Sequence, residues 1–310
     1  MTREDRLAWG DRIRAEQGLK FEIPQKYREY ERRVIRNAFT IKTSVGPSRC
    51  YMTLPPVTRE KYPLYINFHG GGFVCGYNES NPAFCAMISC MLGCKVIDVD
   101  YRLAPQFPYP AAIDEGYDVV KWAFEHADEL SILADRIIVG GHSAGGTITA
   151  AIALKANQTG DFRMALQFMD YPGLDQITAP EEKLAAAVRG NGGKPLERPL
   201  KLDRCHAFNT LYVEDESRVK EPLASPVFAP PEMVRGMPPV LIISAGQDFL
   251  WPEHDTYARL LIDNGVTVTM KRYLHSSHAF MMYFHGEYEQ GHKFLTDQMR
   301  AVFENGPAEP

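Results

Sequence analysis

Six short apolar runs constrain this chain more than any other feature: YPLYINF (62–68), CKVIDVD (94–100), RIIVGG (136–141), MALQFMD (164–170), PPVLIIS (238–244) and VTVTMKRY (266–273). They alternate with helix-compatible stretches. Runs this short and this continuously apolar fit strands buried on both faces, and the alternation predicts an α/β fold with a mostly parallel central sheet flanked by helices. Ahead of them, RNAFTIKTS and CYMTL alternate in the manner of an antiparallel strand pair between Arg36 and Leu54, with Gly46-Pro47 as the turn. Residues 1–32 are charged, with spaced apolar positions at Leu7, Trp9, Ile13, Leu19 and Phe21, which predicts a helical segment lying over the rest of the molecule. Between Pro172 and Pro231 the rhythm breaks into a stretch with a glycine cluster (Gly190, Gly192, Gly193), many charges and several prolines. A structureless loop of about sixty residues does not suit a compact domain, so this stretch is read as an inserted helical cap.

A chain of 310 residues, 45% of them hydrophobic, is long enough to bury one large core. Its 34 basic and 39 acidic residues leave a net charge of −5, which provides no counterion-release drive toward a phosphate backbone and excludes nucleic acid as the expected partner. The first twenty residues hold no apolar run able to act as a signal-peptide core or membrane span, so no membrane partner and a cytoplasmic location are expected. Six cysteines are too few for a disulfide scaffold at this length. Cys90 and Cys94 lack a second ligand pair of comparable spacing, so no metal is expected and Cys85, Cys90 and Cys94 are read as small apolar residues packing a helix.

The chemistry concentrates in two glycine-rich segments. GGHSAGG (140–146) follows an apolar strand and leads into the helix-compatible TITAAIALKA. A serine in the frame Gly141-x-Ser143-x-Gly145 suits a strained strand-to-helix turn, because bulky neighbours would clash as the chain reverses. Such a turn lifts the Ser143 hydroxyl clear of the sheet and puts the Ala144 amide at a helix N-terminus, where an oxyanion is stabilised. The second segment, HGGGF (69–73), follows the run YPLYINF, and its consecutive glycines let backbone N–H groups turn inward. Gly71 and Gly72 are assigned as oxyanion donors beside Ala144. A phosphate-binding loop is disfavoured, since neither a GxxxxGK[ST] nor a GxGxxG spacing is present.

Together with the block DYRLAPQFPYPAAIDEGYDVVKWAFEHADEL (100–130), HGGGF and GHSAGG resemble the hormone-sensitive-lipase-like family of microbial carboxylesterases, from about Tyr62 to the end of the chain. The resemblance implies an α/β-hydrolase core over 46–172 and 231–310, a helical cap over 173–230, and an N-terminal segment, 1–45, contributing to the cap and the first strand. It also implies no metal or other cofactor, a small-molecule ester as substrate and a possible homodimer through the last strand and helix. For this fold the expected order is Ser, acid, His. Asp248, in AGQDFLWPEHDTYA, resembles the family acid, although Phe249 stands where the family has proline; Glu253 and Asp255 are its competitors, read as surface or cap-facing charges. His278, in HSSHAF, resembles the family base, with His275 as its rival. His142 stands where the family often has aspartate, so polarity at the turn is expected to differ.

The expected function is that of a serine carboxylesterase acting on short- to medium-chain acyl esters. An amidase or arylformamidase with the same triad, and a non-catalytic receptor on the same fold, stay open. Phe73, Tyr77, Phe208, Tyr212 and Phe280 are candidates for the pocket wall, with no individual one preferred.

Overall fold

The structure, a computed structural model, describes residues 1–16 and 21–306; Leu19, among the spaced apolar positions of the N-terminal segment, falls outside them. Two helices, α1 (Arg3–Ala15) and α2 (Gln25–Glu31), precede an antiparallel pair, β1 (Ile35–Thr43) and β2 (Gly46–Leu54). Thr43 pairs directly with Gly46, so the turn is Ser44-Val45 and Gly46-Pro47 opens the second strand instead. Proline is tolerated so close to a strand start because its missing N–H removes little from the ladder there.

Then follow β3 (Tyr62–Phe68), α3 (Ser80–Leu92), β4 (Lys95–Asp100), α4 (Ala111–Glu125), β5 (Ile132–His142), α5 (Ala144–Thr159) and β6 (Leu166–Asp170). The next stretch holds α6 (Pro180–Gly190), α7 (Leu202–Tyr212), two short 3-10 turns and α8 (Pro231–Val234). The chain closes with β7 (Val240–Ala245), α9 (Trp251–Asp263), β8 (Val268–Tyr273) and α10 (Tyr288–Asn305). The eight strands among the described residues form one sheet in the order β1-β2-β4-β3-β5-β6-β7-β8, parallel from β4 to β8. Each of the six apolar runs supplies one parallel strand.

Alternation along the strands divides the core. Leu64, Ile66 and Phe68 of β3, with Val240 and Ile242 of β7, meet α4, α5 and α9 on one face. Tyr65, Leu241 and Ile243 meet α3 and α10 on the other. Covering both faces is what lets a parallel sheet of Val, Ile, Leu and Phe exist in water. Of the three cysteines read as small apolar residues, Cys85 within α3 and Cys94 just beyond it are fully buried, whereas Cys90, also in α3, is part-exposed. Among the described residues no helix is long and apolar enough to cross a membrane.

The order of the strands fixes where a site can form. From β3 the chain moves to β4 on one side and then to β5 on the other. At such a reversal the loops leaving adjacent strands part, opening a crevice at their carboxyl ends. The segments leaving β3 and β5 are HGGGF and GHSAGG.

Candidate active site

Ser143 occupies the junction between β5 and α5 with φ 52° and ψ −116°, in the left-handed region that a side chain adopts only under strain. Two close approaches make its flanking glycines necessary. A Cβ on Gly145 would lie 2.0 Å from the Phe68 carbonyl oxygen, and one on Gly141 would lie 2.5 Å from that of Gly145. The turn is held underneath by the Ser143 N–H, which donates to the Asp170 carbonyl at 2.8 Å.

The structure brings the three sequence-assigned side chains into line. Asp248, just beyond β7, is fully buried, and its Oδ2 accepts from His278 Nδ1 at 2.6 Å. His278, beyond β8, faces Ser143 Oγ with Nε2 at 2.9 Å. With Nδ1–H committed to the carboxylate, Nε2 presents a lone pair to the serine hydroxyl. The competitors are occupied elsewhere. Glu253 is buried rather than at the surface, bonded to Lys183 Nζ at 2.8 Å and to the Leu174 N–H at 2.9 Å; burial pushes its carboxyl up to about 7 in spite of the lysine. Asp255 pairs with Arg272. His275 is exposed, and its backbone N–H donates to Glu287.

Ser143 and His278 open into a cavity of about 350 Å³, whose wall includes Gly71, Gly72 and Ala144. Among the described residues none of these three amides has a hydrogen-bond partner outside regular structure, so each is free to donate to an atom held above Ser143. Gly71 sits at φ 128°, and a Cβ on it would lie 2.3 Å from the Cys75 carbonyl oxygen. The strand end beneath this loop is fixed by Tyr101, whose hydroxyl donates to the His69 carbonyl at 2.8 Å while its ring stacks on the imidazole.

Strain gathers at this cavity. Among the described residues, four of the six non-glycine residues at positive φ, namely Phe73, Ser143, Tyr171 and Ala279, stand on its wall. Of the aromatic candidates, Phe73 and Phe208 belong to the wall, whereas Tyr77, Tyr212 and Phe280 do not. Tyr77 instead donates to the buried Asp98, and Tyr212 stacks behind Phe73.

Sequence reasoning missed Asp170 and Tyr171. Tyr171 places its ring 4.9 Å from that of His278, and Asp170 Oδ2 accepts from His142 Nδ1 at 2.8 Å, both residues being buried. Burial pushes the Asp170 carboxyl above its ordinary range, and the His142 contact opposes that shift. An acidic residue ending an otherwise apolar strand, next to the strand that leads into Ser143, was the available signal.

A family described as the α/β-hydrolase fold matches residues 65–282. The chain belongs to the α/β-hydrolase family. Its resemblance to the hormone-sensitive-lipase-like branch agrees with its relatives. It is 36% identical over 229 residues to the carboxylic ester hydrolase LipN of Mycobacterium tuberculosis, covering 72% of this chain and 58% of that protein. It therefore spans under two thirds of LipN. With the esterase LipI of the same organism it shares 31% identity over 280 residues, covering 90% of this chain and 84% of LipI. The solved Pyrobaculum calidifontis esterase superposes with a TM-score of 0.78 at 27% identity, covering 97% of this chain and 94% of that one.

Proposed function

We propose that this α/β-hydrolase is a serine carboxylesterase that cleaves short- to medium-chain acyl esters through an acyl-enzyme. The observation that carries the reading is the unbroken line Asp248–His278–Ser143 beside three unpartnered amides. In this reading His278 Nε2 takes the Ser143 proton as Oγ attacks the ester carbonyl, and it returns that proton to the leaving alcohol. Asp248 holds the tautomer and stabilises the imidazolium. The amides of Gly71, Gly72 and Ala144 receive the oxyanion, a role in which one lost donor costs roughly 100- to 1,000-fold in rate. Water then enters by the same base and releases the acid.

The helices α6 and α7, together with α1, are assigned in this proposal to a cap over the strand ends. Their support is the presence of Lys183, Arg204 and Phe208 on the cavity wall. A cytoplasmic location also belongs to the proposal, supported by six free cysteines. A homodimer through β8 and α10 is supported by the position of β8 at the sheet edge and by the exposed Leu274 just beyond it.

Turnover of p-nitrophenyl esters from acetate to palmitate, with matched anilides beside them, tests the activity. The expected result is hydrolysis with an optimum at short or medium acyl length and anilides at least tenfold slower. Faster anilide cleavage would move the reading to an amidase, and no turnover of either series to a receptor.

A further inference from the structure

The cavity beside Ser143 carries more positive charge than the ester reaction uses. Its wall holds Lys183, Lys201 and Arg204 against one carboxylate, Asp175. Asp175 keeps its charge, but its Oδ1 is directed to the N–H groups of Ile177 and Thr178 at 2.7 and 3.0 Å, which leaves the three cations in excess over it. Lys183 is opposed by Glu253. Lys201 and Arg204 are not opposed: among the described residues no carboxylate lies within ion-pair distance of either. Arg204 is half-buried, with Nη2 directed to Cys75 Sγ at 3.4 Å and its guanidinium 5.3 Å from the Phe208 ring centre. The Phe208 ring in turn covers Gly72, close enough that a Cβ there would lie 2.3 Å from it. Arg204 therefore stands one helical turn from a residue that touches the oxyanion loop.

Both cations also sit at the wrong end of their helix. Lys201 is the N-cap of α7 and Arg204 lies in its first turn, where no side chain caps the free N–H groups. The positive end of a helix dipole disfavours cations and favours an anion. Asp203, the first-turn carboxylate, is exposed and off the cavity wall. An anionic group in the cavity would offset this repulsion, and low-dielectric walls would strengthen its attraction to the guanidinium.

We propose that Arg204, aided by Lys201, makes the cavity selective for esters that carry a second, free carboxylate. The proposal rests on the esterase reading and narrows its substrate class to acidic esters. The extra carboxylate belongs to either the acyl or the alcohol portion, and one pair matched in shape but differing in charge probes each side. For the acyl side the pair is 4-nitrophenyl hemiglutarate and its methyl ester; for the alcohol side it is 4-butanoyloxybenzoate and its methyl ester.

In at least one pair, kcat/KM at low salt should favour the acid by about tenfold or more, the range of a charge-assisted hydrogen bond. That ratio should shrink as salt is added, collapse in Arg204→Gln and largely survive in Arg204→Lys. Equal turnover within both pairs, or a preference that survives Arg204→Gln with the fold intact by circular dichroism, overturns the proposal and leaves an esterase in place. If no ester at all is turned over, the esterase reading fails, and calorimetry with monomethyl glutarate (acyl side) and 4-acetoxybenzoate (alcohol side) on Ser143→Ala still decides the charge question. Binding of either probe that the added Arg204→Gln abolishes supports it; no binding of both overturns it.

Discussion

At the scale of single residues, the turn under Ser143 joins two carboxylate–imidazole pairs: part-exposed His278 with buried Asp248, and His142 with Asp170, both buried. The first meets the serine hydroxyl; the second lies beneath the serine backbone, whose N–H donates to Asp170. Removing the imidazole in His142→Ala leaves the Asp170 carboxyl buried without its partner, which should cost about 3–5 kcal/mol of stability. The urea midpoint measures this, and an unchanged midpoint would mean that the pair adds no net stability. Ser143, Gly145 and the HGGGF glycines were legible in the sequence because each answers a requirement within a few residues of chain. The His142–Asp170 pair was not, since its members are 28 residues apart in the chain and meet only through the β5–β6 register.

At the scale of elements, α1 bears on the site through α7. Ile13 and Trp9 of α1 pack with Ala207, Phe208 and Leu211 of α7 and with Val74 and Cys75 behind the HGGGF loop, and Arg6 donates to the Thr210 carbonyl. Gly10 permits the approach: a Cβ there would lie 2.5 Å from Pro105 Cδ. In Gly10→Leu the overpacking should cost about 1–3 kcal/mol, displace α1 and loosen α7. KM should rise several-fold while kcat changes less, and limited proteolysis near residue 16 should accelerate. Equal KM and equal proteolysis would show that α1 does not position the wall. The helices at Arg3–Ala15 and Gln25–Glu31 could be anticipated from the spacing of the apolar residues before Arg33, and β3 was read to the residue. The β1–β2 turn was misplaced by two residues because Gly-Pro, a turn signal by composition, also suits a strand start. Contacts such as Lys183–Glu253 join residues 70 apart and leave no local pattern, so nothing in the sequence showed that Glu253 is buried against a lysine.

At the scale of the whole molecule, buried histidines set how the fold responds to acid. His254 is fully buried, with Nε2 against the Pro172 carbonyl at 2.8 Å and Nδ1 against Ser244 Oγ at 2.9 Å. Burial lowers its pKa from 6.5 to about 4. Below 6.5 the unfolded chain takes up a proton that the folded chain refuses, so stability is lost as pH falls from 6.5 toward 4, by roughly 3 kcal/mol from this residue, and the effect is absent above 6.5. Glu253, raised from 4.5 to about 7, works in the opposite direction over 4.5–7. Comparing thermal midpoints of wild type and His254→Gln across pH 4–8 separates the two; the variant should lose the histidine's part of the acid slope, and identical slopes would contradict the assignment.

The proposed ester cleavage turns on one atom, Ser143 Oγ, acting as a nucleophile. Intact mass and peptide mapping after incubation with a p-nitrophenyl alkylphosphonate test this directly, because the reagent leaves a stable adduct on an activated serine. The predicted result is one phosphonyl group per chain on Ser143, absent from Ser143→Ala and formed at least 100-fold more slowly in His278→Ala, in line with the loss of a general base. An adduct on another residue, or full labelling of Ser143→Ala, would contradict it.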